Sequence, residues 1–441
     1  MEYYKYIPEL LIGFIIFTQP LIKDYAFATL IFALMLTFFA LKRTRATWFQ
    51  RPFNISLSLF LLVLLRIVLC WNGYTLDFYI IGVSVSIITI AVTLTEIELH
   101  NKVGGRSELS GVSFPAMGRE AKPIFLYLFN ATLVASIVSL VLSENQLQPE
   151  NILFLSVIGS LTAALLMVIP HRGKDHTETI GTVMSIWLFA SIGYAPPLEE
   201  LVAAITVALL ISYVAYRKDM ADVSAMITAT LIGMLIVIFT DLRWFLALSL
   251  FFAIGSGFTK YKYKYKASVG LGEGKSGVRG YRNVFSNSLP AASLAIAYHT
   301  IPAHQDAILI AYLASLATAL ADTLASEIGQ TSKNAPLMIT TLKKTAPGTD
   351  GGVTLLGEAA AIGGALVLAV FAVAVGLVPP NPIFLVLITL GGVIGANIDS
   401  LFGATLQQKG MLTNNGVNLA STATSAALVS LLYVTTPISL T

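Results

Sequence analysis

Long apolar runs recur along the whole chain, and they constrain its fold more than any other feature. A helix needs roughly 17 to 25 residues to cross a bilayer, and about fifteen runs approach this length. They lie near 7–22, 24–41, 53–71, 77–98, 122–142, 151–170, 179–195, 197–216, 222–240, 243–258, 285–301, 305–327, 353–378, 381–404 and 418–437. Only 12% of the 441 residues are charged, whereas soluble domains carry roughly 25%. The sequence predicts an all-α polytopic integral membrane protein with about 13 to 15 transmembrane helices.

The basic residues indicate how the chain is oriented. With the N-terminus in the cytoplasm, 24 of the 27 Lys and Arg residues fall in segments on that side. Cytoplasmic loops of membrane proteins carry such an excess. We therefore expect the long C-terminal loops, 259–284, 328–352 and 405–417, to face the cytoplasm of a prokaryotic cell. The N-terminus lacks the short basic region and small-residue site of a cleavable signal, so we expect it to be retained.

The composition divides the chain into two parts. Residues 1–217 are mostly plain apolar spans whose role is unassigned, whereas 218–441 contain long polar loops and nearly every Gly-rich motif. The segment YKYKYK at 261–266 is typical of an interfacial anchor, with rings among lipid headgroups and ammonium groups toward anionic lipid. No basic domain accompanies it, so a nucleic acid partner is not expected. The only cysteine, Cys70, is interpreted as a buried spectator.

The segment ADTLASEIG ends an apolar run with two carboxylates. Asp322, Ser326 and Gly329 fall on one helical face, and Glu327 lies at the same depth. Ionisable groups within membrane spans are costly and tend to be functional. This pattern favours a face that a metal-bound polyphosphate approaches; the alternative is a polar helix end that is merely hydrated.

The segment LKKTAPGTDGG closes the loop 328–352. Lys343 and Lys344 offer cations, and Gly348, Gly351 and Gly352 allow backbone amides to turn toward an anion. The next apolar run starts immediately afterwards. A helix beginning there would direct its positive end at a bound phosphate.

Three further segments add candidates. In GGVIGANIDSLFG, glycines recur every four residues up to Asp399; close helix packing explains the glycines but not the acid. The segment TNNGVNLAS supplies Asn414, Asn415 and Asn418, of which Asn418 alternatively caps the last helix. The loop GLGEGKSGVRGYRNVFSNS carries further polar candidates, with arginine suited to bidentate phosphate recognition. These candidates are Glu273, Lys275, Arg279, Arg282, Asn283 and Asn287.

Five ordered segments carry a family resemblance. GVRGYRNVFSN, ALADTLASEIG, APGTDGGVTLLG, IDSLFGATLQ and NNGVNLAST occur in this order between residues 220 and 441. This order resembles the membrane family that includes plant phytyl-phosphate kinase. The resemblance implies a membrane domain that acts on an isoprenoid phosphate.

A fainter similarity extends to dolichol kinase, phytol kinase and CDP-diacylglycerol synthase, which use CTP with a divalent metal. Their pattern D-x-x-A-S-x-x-G, followed by K-T-x-x-G-T, is matched here at eight positions. The matching functional positions are Asp322, Ser326, Gly329, Lys344, Thr345, Gly348 and Thr349. Pro347 replaces the usual glutamate, so any role of that glutamate is lost or moved to Asp350.

The resemblances together imply a CTP-dependent kinase that converts a geranylgeranyl- or phytyl-type monophosphate to the diphosphate. Asp322 and Asp399, with Glu327 as a further ligand, are expected to hold Mg²⁺ or Mn²⁺, while Lys344 neutralises charge during transfer. The expected nucleotide- and phosphate-binding residues are Ser326, Lys343, Thr345, Gly348, Thr349, Asp350, Gly351, Gly352, Arg279, Asn283, Asn287, Asn415 and Asn418. Membrane lipids are the remaining partners, and the nucleotide is CTP or another NTP.

Three alternatives remain open at this stage. A cytidylyltransferase would use similar substrates, release pyrophosphate and form a CDP-lipid. A transporter of a lipid or an anionic solute would carry acidic or broken helices at the bilayer midplane, whereas these carboxylates cluster near one surface. A non-catalytic lipid-binding protein leaves the loop cations unexplained.

Overall fold

A computed structural model describes residues 3–43, 47–102, 121–144, 146–268, 270 and 277–435. Across these ranges the chain forms seventeen α-helices and one short two-stranded hairpin. The predicted all-α polytopic fold is confirmed. The chain divides into two compact units, Met1–Leu201 and Val202–Thr441.

The first unit contains eight helices within the described residues. They are α1 (Ile7–Ile15), α2 (Asp24–Lys42), α3 (Gln50–Trp71), α4 (Phe78–Ser86), α5 (Val92–Lys102), α6 (Ala121–Leu142), α7 (Pro149–Val168) and α8 (Lys174–Ile192). Inside this unit Arg51 pairs with Glu9 at 3.1 Å and with Glu178 at 3.6 Å. Cys70, in the last turn of α3, is exposed, so the prediction of a buried thiol is wrong.

The second unit contains the polar motifs. Helix α9 (Leu198–Arg217) crosses the boundary between the two units. The elements that follow are α10 (Val223–Phe239), α11 (Leu242–Lys260), α12 (Tyr263–Ser268), α13 (Tyr281–Thr300), α14 (Gln305–Gly329), β1 (Leu337–Met338), β2 (Gly352–Val353), α15 (Leu355–Ala374), α16 (Pro382–Phe402) and α17 (Asn414–Thr435).

Eleven helices of the described chain are long and apolar enough to cross a membrane. Helix α10 is a shorter apolar helix of 17 residues. The predicted span 7–22 instead breaks at Ile15, after which a 3₁₀ turn containing Pro20 follows. Polar residues in α8 and α13 lower their hydropathy. The number of clear spans is therefore smaller than the number of apolar runs.

Helix α14 lies at the centre of the second unit and packs against α11, α13, α15, α16 and α17. The glycines of α16 allow this approach: a Cβ on Gly391 would lie 3.0 Å from the Ala314 Cβ, and one on Gly392 would lie 3.0 Å from the Ala317 carbonyl carbon. Small residues favour such close contact between membrane helices. Close packing as the reason for the glycine stripe is confirmed.

Candidate functional site

A polar cavity of about 270 Å³ lies where the helix ends of the second unit meet. Its lining combines the last turns of α14 and α16 with the loops between them. The first turns of α13, α15 and α17 complete it. Residues from all five polar segments of the C-terminal half therefore line one site.

Twelve predicted site residues line this cavity. They are Arg279, Asn283, Asp322, Ser326, Glu327, Gly348, Thr349, Asp350, Gly351, Gly352, Asp399 and Asn418. Five other predicted residues do not line it, namely Asn287, Lys343, Lys344, Thr345 and Asn415. Glu273 and Lys275 lie outside the described residues.

Three helices direct their N-terminal ends at the cavity. Helix α13 follows Gly280, and α15 follows Thr354, whose side chain accepts a hydrogen bond from the Gly357 amide at 3.0 Å. Helix α17 starts at Asn414, which lines the cavity. N-terminal helix ends carry partial positive charge and exposed amides. These ends therefore favour an anion inside the cavity.

Asp322 and Asp399 are the predicted carboxylates that remain available in this cavity. Asp322 makes no hydrogen bond or ion pair with other described residues, and Asp399 accepts a hydrogen bond from the Ser421 hydroxyl at 2.8 Å. They come from different helices, α14 and α16, whose close packing the glycine stripe permits. The arrangement presents two carboxylates to one space.

Glu327 is engaged differently from the prediction. Its side chain is buried and bound by the Lys266 ammonium group, which also donates to the Thr259 carbonyl at 2.9 Å. Among the described residues, no group of three His, Cys, Asp or Glu side chains is arranged to hold a metal. The three-carboxylate metal site is therefore not supported, because an ammonium ion already neutralises Glu327.

Lys266 also corrects the interpretation of YKYKYK. It is 2% exposed, whereas Lys262 and Lys264 of the same run are exposed. The short helix α12 turns Lys266 inward while leaving its neighbours outside. The interfacial anchor stays a prediction for the exposed members and is wrong for Lys266.

The remaining carboxylates match the ligand chemistry of magnesium. Mg²⁺ is usually bound through one or two protein carboxylates together with substrate phosphates and water. Asp322, Asp350, Glu358 and Asp399 line the cavity, whereas Arg279 is the single cationic side chain among the described lining residues. This excess of negative charge disfavours a bare polyphosphate. The donor set fits a phosphate ligand that arrives with a divalent cation.

The hairpin explains why the two predicted lysines are absent from the lining. Strand β1 pairs with β2 in antiparallel fashion, and Lys344 bridges back to Leu337. The Met338 amide donates to the Lys343 carbonyl at 2.8 Å. This pairing leaves both lysine side chains exposed, before the chain turns into the cavity at Pro347.

Gly351 lets the GTDGG turn approach Gly403–Gln407, the π-helical turn that follows α16. Its φ is +81°, a conformation that favours glycine, and a Cβ there would lie 2.8 Å from both the backbone nitrogen and the Cα of Ala404. Thr345 and Thr349 brace the same turn through a hydroxyl–hydroxyl contact of 3.2 Å. The turn is thereby held against the helix end that carries Asp399.

Asn287 and Asn415 make contacts at α13 and lie outside the cavity lining. The Asn287 amide donates to the Asn283 carbonyl at 2.9 Å within α13, and the Ser286 hydroxyl contacts the Asn415 side-chain oxygen at 3.5 Å. The second contact joins α13 to α17. Asn418 lies inside α17, so the alternative that it caps this helix is wrong.

Sequence reasoning missed Glu358 as a lining residue. It lies in the first turn of α15 and accepts a hydrogen bond from the Asn397 amide at 3.1 Å. An acidic residue in a first turn is common for electrostatic reasons alone. The useful signal was its position six residues after the Gly-rich turn.

Known proteins are similar to part of this chain. An uncharacterised membrane protein of Synechocystis sp. is 37% identical over 198 residues, covering 44% of this chain and 76% of that protein. One from Methanocaldococcus jannaschii is 30% identical over 239 residues, covering 54% of this chain and 96% of that protein. The chloroplastic protein VTE6 of Arabidopsis thaliana is 29% identical over 184 residues, covering 40% of this chain and 54% of that protein.

No solved structure matches the chain. The family described as "Integral membrane protein DUF92" matches residues 206–426, half of the chain. This region contains the complete polar cavity and all five ordered segments, and the family resemblance drawn from them is confirmed. The chain belongs to the integral membrane protein family DUF92.

Proposed function

We propose that the second unit is a CTP-dependent kinase that converts an isoprenyl monophosphate to the diphosphate. The observation that carries this proposal is the convergence of Asp322, Asp399, Arg279 and three helix N-termini on one cavity. Carboxylates suit a metal, and the amides suit phosphate. The resemblance to the family that includes plant phytyl-phosphate kinase supports an isoprenyl acceptor.

The reaction moves one phosphoryl group. An oxygen of the acceptor monophosphate forms a bond to the γ-phosphorus of CTP, and the bond from that phosphorus to the β,γ-bridging oxygen breaks. CDP leaves with the bonding electron pair. The acceptor phosphate is already anionic near neutral pH, so no side chain has to remove a proton.

The lining residues have distinct roles in this proposal. A divalent cation held by Asp322 and Asp399 would offset the charge on the nucleotide phosphates. The backbone amides of the GTDGG turn and of the α15 N-terminus contact those phosphates. Arg279 and Asn283 hold the acceptor phosphate, since guanidinium groups bind phosphate through paired donors.

Lys343 and Lys344 contribute from outside the lining. They are exposed on the hairpin whose later residues enter the cavity. Exposed cations raise the encounter rate of an anionic ligand in a salt-dependent way. We assign them to attraction of the nucleotide toward an acidic cavity.

We further propose that the site faces the cytoplasm of a prokaryotic cell, where CTP is present. Support comes from the 24 of 27 basic residues on one predicted side. Single cysteines at Ser332 and Gln408, in a Cys70→Ser background, should be labelled only from the cytoplasmic side. Ala303→Cys, at the opposite end of α14, is the matched control and should be labelled from outside. Labelling of Ser332→Cys from outside contradicts this orientation.

The decisive test of the chemistry uses purified protein, Mg²⁺, geranylgeranyl monophosphate and CTP labelled in either the α- or the γ-phosphate. Kinase activity transfers the γ label, and no α label, to the lipid. Transfer of the α label alone establishes a cytidylyltransferase. Label from neither position removes the enzymatic proposal and favours a transporter or a binding protein.

A further inference from the structure

A second cavity, of about 210 Å³, lies between α9, α10 and α11. Its lining is mostly apolar and includes Met226, Ile232, Phe245, Leu248 and Phe252. The charged residue of this lining is Arg279, which also lines the polar cavity. The two cavities therefore share Arg279 in their linings.

The protein fixes Arg279 at this junction. Its amide donates to the Met220 carbonyl at 3.1 Å, and its carbonyl accepts from the Asp222 amide at 2.9 Å. The guanidinium carbon lies 5.5 Å from the centre of the Phe252 ring. A Cβ on Gly255 would lie 2.7 Å from Nη2 of Arg279. The glycine thus leaves room for the cation between the two spaces.

The shape and chemistry of the pair match an amphiphile with one chain. An engineered apolar cavity of roughly 150 Å³ holds one benzene, so 210 Å³ accommodates the first one or two five-carbon units of an isoprenoid. A phosphate next to those units would lie at Arg279. A diacyl lipid would have to place a second chain beside the same phosphate.

We propose that the apolar cavity binds the proximal tail of a single-chain isoprenyl monophosphate, with Arg279 holding the phosphate at the entrance to the polar cavity. This inference rests on the proposed kinase function and deepens it. It selects single-chain acceptors over diacylglycerol-type lipids. It also makes the walls of α10 and α11 determinants of acceptor affinity.

The first test measures binding of tritiated geranylgeranyl monophosphate without CTP. Ala229→Phe places a ring in the apolar cavity, because Ala229 lines it. We expect at least a tenfold rise in Kd. Leu210→Phe is the matched control on α9, where Leu210 is 57% exposed and outside the lining, and its Kd should stay unchanged. Equal Kd values for Ala229→Phe and wild type overturn the inference.

The second test uses the wild-type protein, so it does not depend on folding of a variant. A geranylgeranyl monophosphate analogue with a diazirine on its first five-carbon unit should label peptides of α10 and α11. Excess unlabelled geranylgeranyl monophosphate should suppress this labelling. Labelling confined to other helices overturns the inference. Equal suppression by geranylgeraniol or by a diacyl phosphatidate also overturns it, since either result removes the role of Arg279 or the single-chain preference.

These results separate the two proposals. Tail labelling of α10 and α11 without transfer of the γ-phosphoryl group overturns the kinase and leaves the lipid site standing. Transfer of the γ-phosphoryl group with unchanged binding by Ala229→Phe leaves the kinase and overturns the lipid site.

Discussion

Gly351→Ala tests whether the GTDGG turn is part of the working site. The variant adds one methyl group at a residue with φ of +81°. A side chain in the left-handed region costs about 1 to 2 kcal/mol. The added Cβ would also lie 2.8 Å from backbone atoms of Ala404. The nearest atom is the Ala404 Cβ at 2.4 Å, and ordinary contacts begin at 3.4 Å, so the turn must move by about 1 Å relative to Ala404.

Such a shift displaces the phosphate-binding amides relative to Asp399. Misplacement by about 1 Å can cost 10²-fold in rate, so we expect kcat/KM for CTP to fall on the order of 10 to 10². Gly410→Ala is the matched control. Its φ is +70°, nothing lies within 4 Å of the added Cβ, and it does not line the cavity. Gly410→Ala therefore adds the backbone strain of a side chain at positive φ but no steric clash.

The assay compares kcat/KM for CTP and the thermal unfolding temperature of both variants in detergent. Both should lose some stability, and only Gly351→Ala should lose substantial activity. Equal activities in the two variants would show that the close approach of the turn to Ala404 has no functional role. The same conclusion follows if Gly351→Ala retains wild-type kcat/KM.

Three other changes probe the charges of the site. Asp322→Asn keeps the side-chain size and removes the charge. Turnover should therefore fall below about a tenth of the wild-type rate, which corresponds to a rise of at least about 1.4 kcal/mol in the activation free energy. A higher rate excludes Asp322 as a metal ligand. Lys266→Met leaves Glu327 buried without its counter-ion and should lower the free energy of unfolding by about 3 to 5 kcal/mol. Adding Glu327→Leu to this variant should restore most of the lost stability. If the double variant recovers no stability, the ion pair between Lys266 and Glu327 is refuted. Lys344→Ala should lower kcat/KM less than tenfold at low salt and less still at high salt; a salt-independent loss of 10² would place this lysine in direct contact with the nucleotide.

The sequence predicted the membrane fold and the main acidic residues for clear physical reasons. Carboxylates are rare within apolar helices because they are costly there, so Asp322 and Asp399 stood out. The glycine stripe before Asp399 indicated close helix packing, which the structure has between α14 and α16. The Gly-rich turn before α15 likewise marked the start of a helix.

What the sequence did not predict depends on contacts between distant residues. Lys266 pairs with Glu327 across 61 positions of sequence, and only the turn of α12 distinguishes it from the exposed lysines beside it. The exposure of Lys344 follows from strand pairing with Leu337. The location of Arg279 between two cavities depends on α9 to α11, whose apolar sequences carry no sign of it.

The most direct test of the central claim measures CDP and lipid diphosphate together. Purified wild-type protein and Asp322→Asn, prepared identically, are incubated with Mg²⁺, CTP and geranylgeranyl monophosphate. We predict one CDP released for each geranylgeranyl diphosphate formed by the wild type, and at least a tenfold lower rate for the variant. CDP release without lipid diphosphate, or equal rates from both proteins, would contradict an isoprenyl-phosphate kinase site at Asp322.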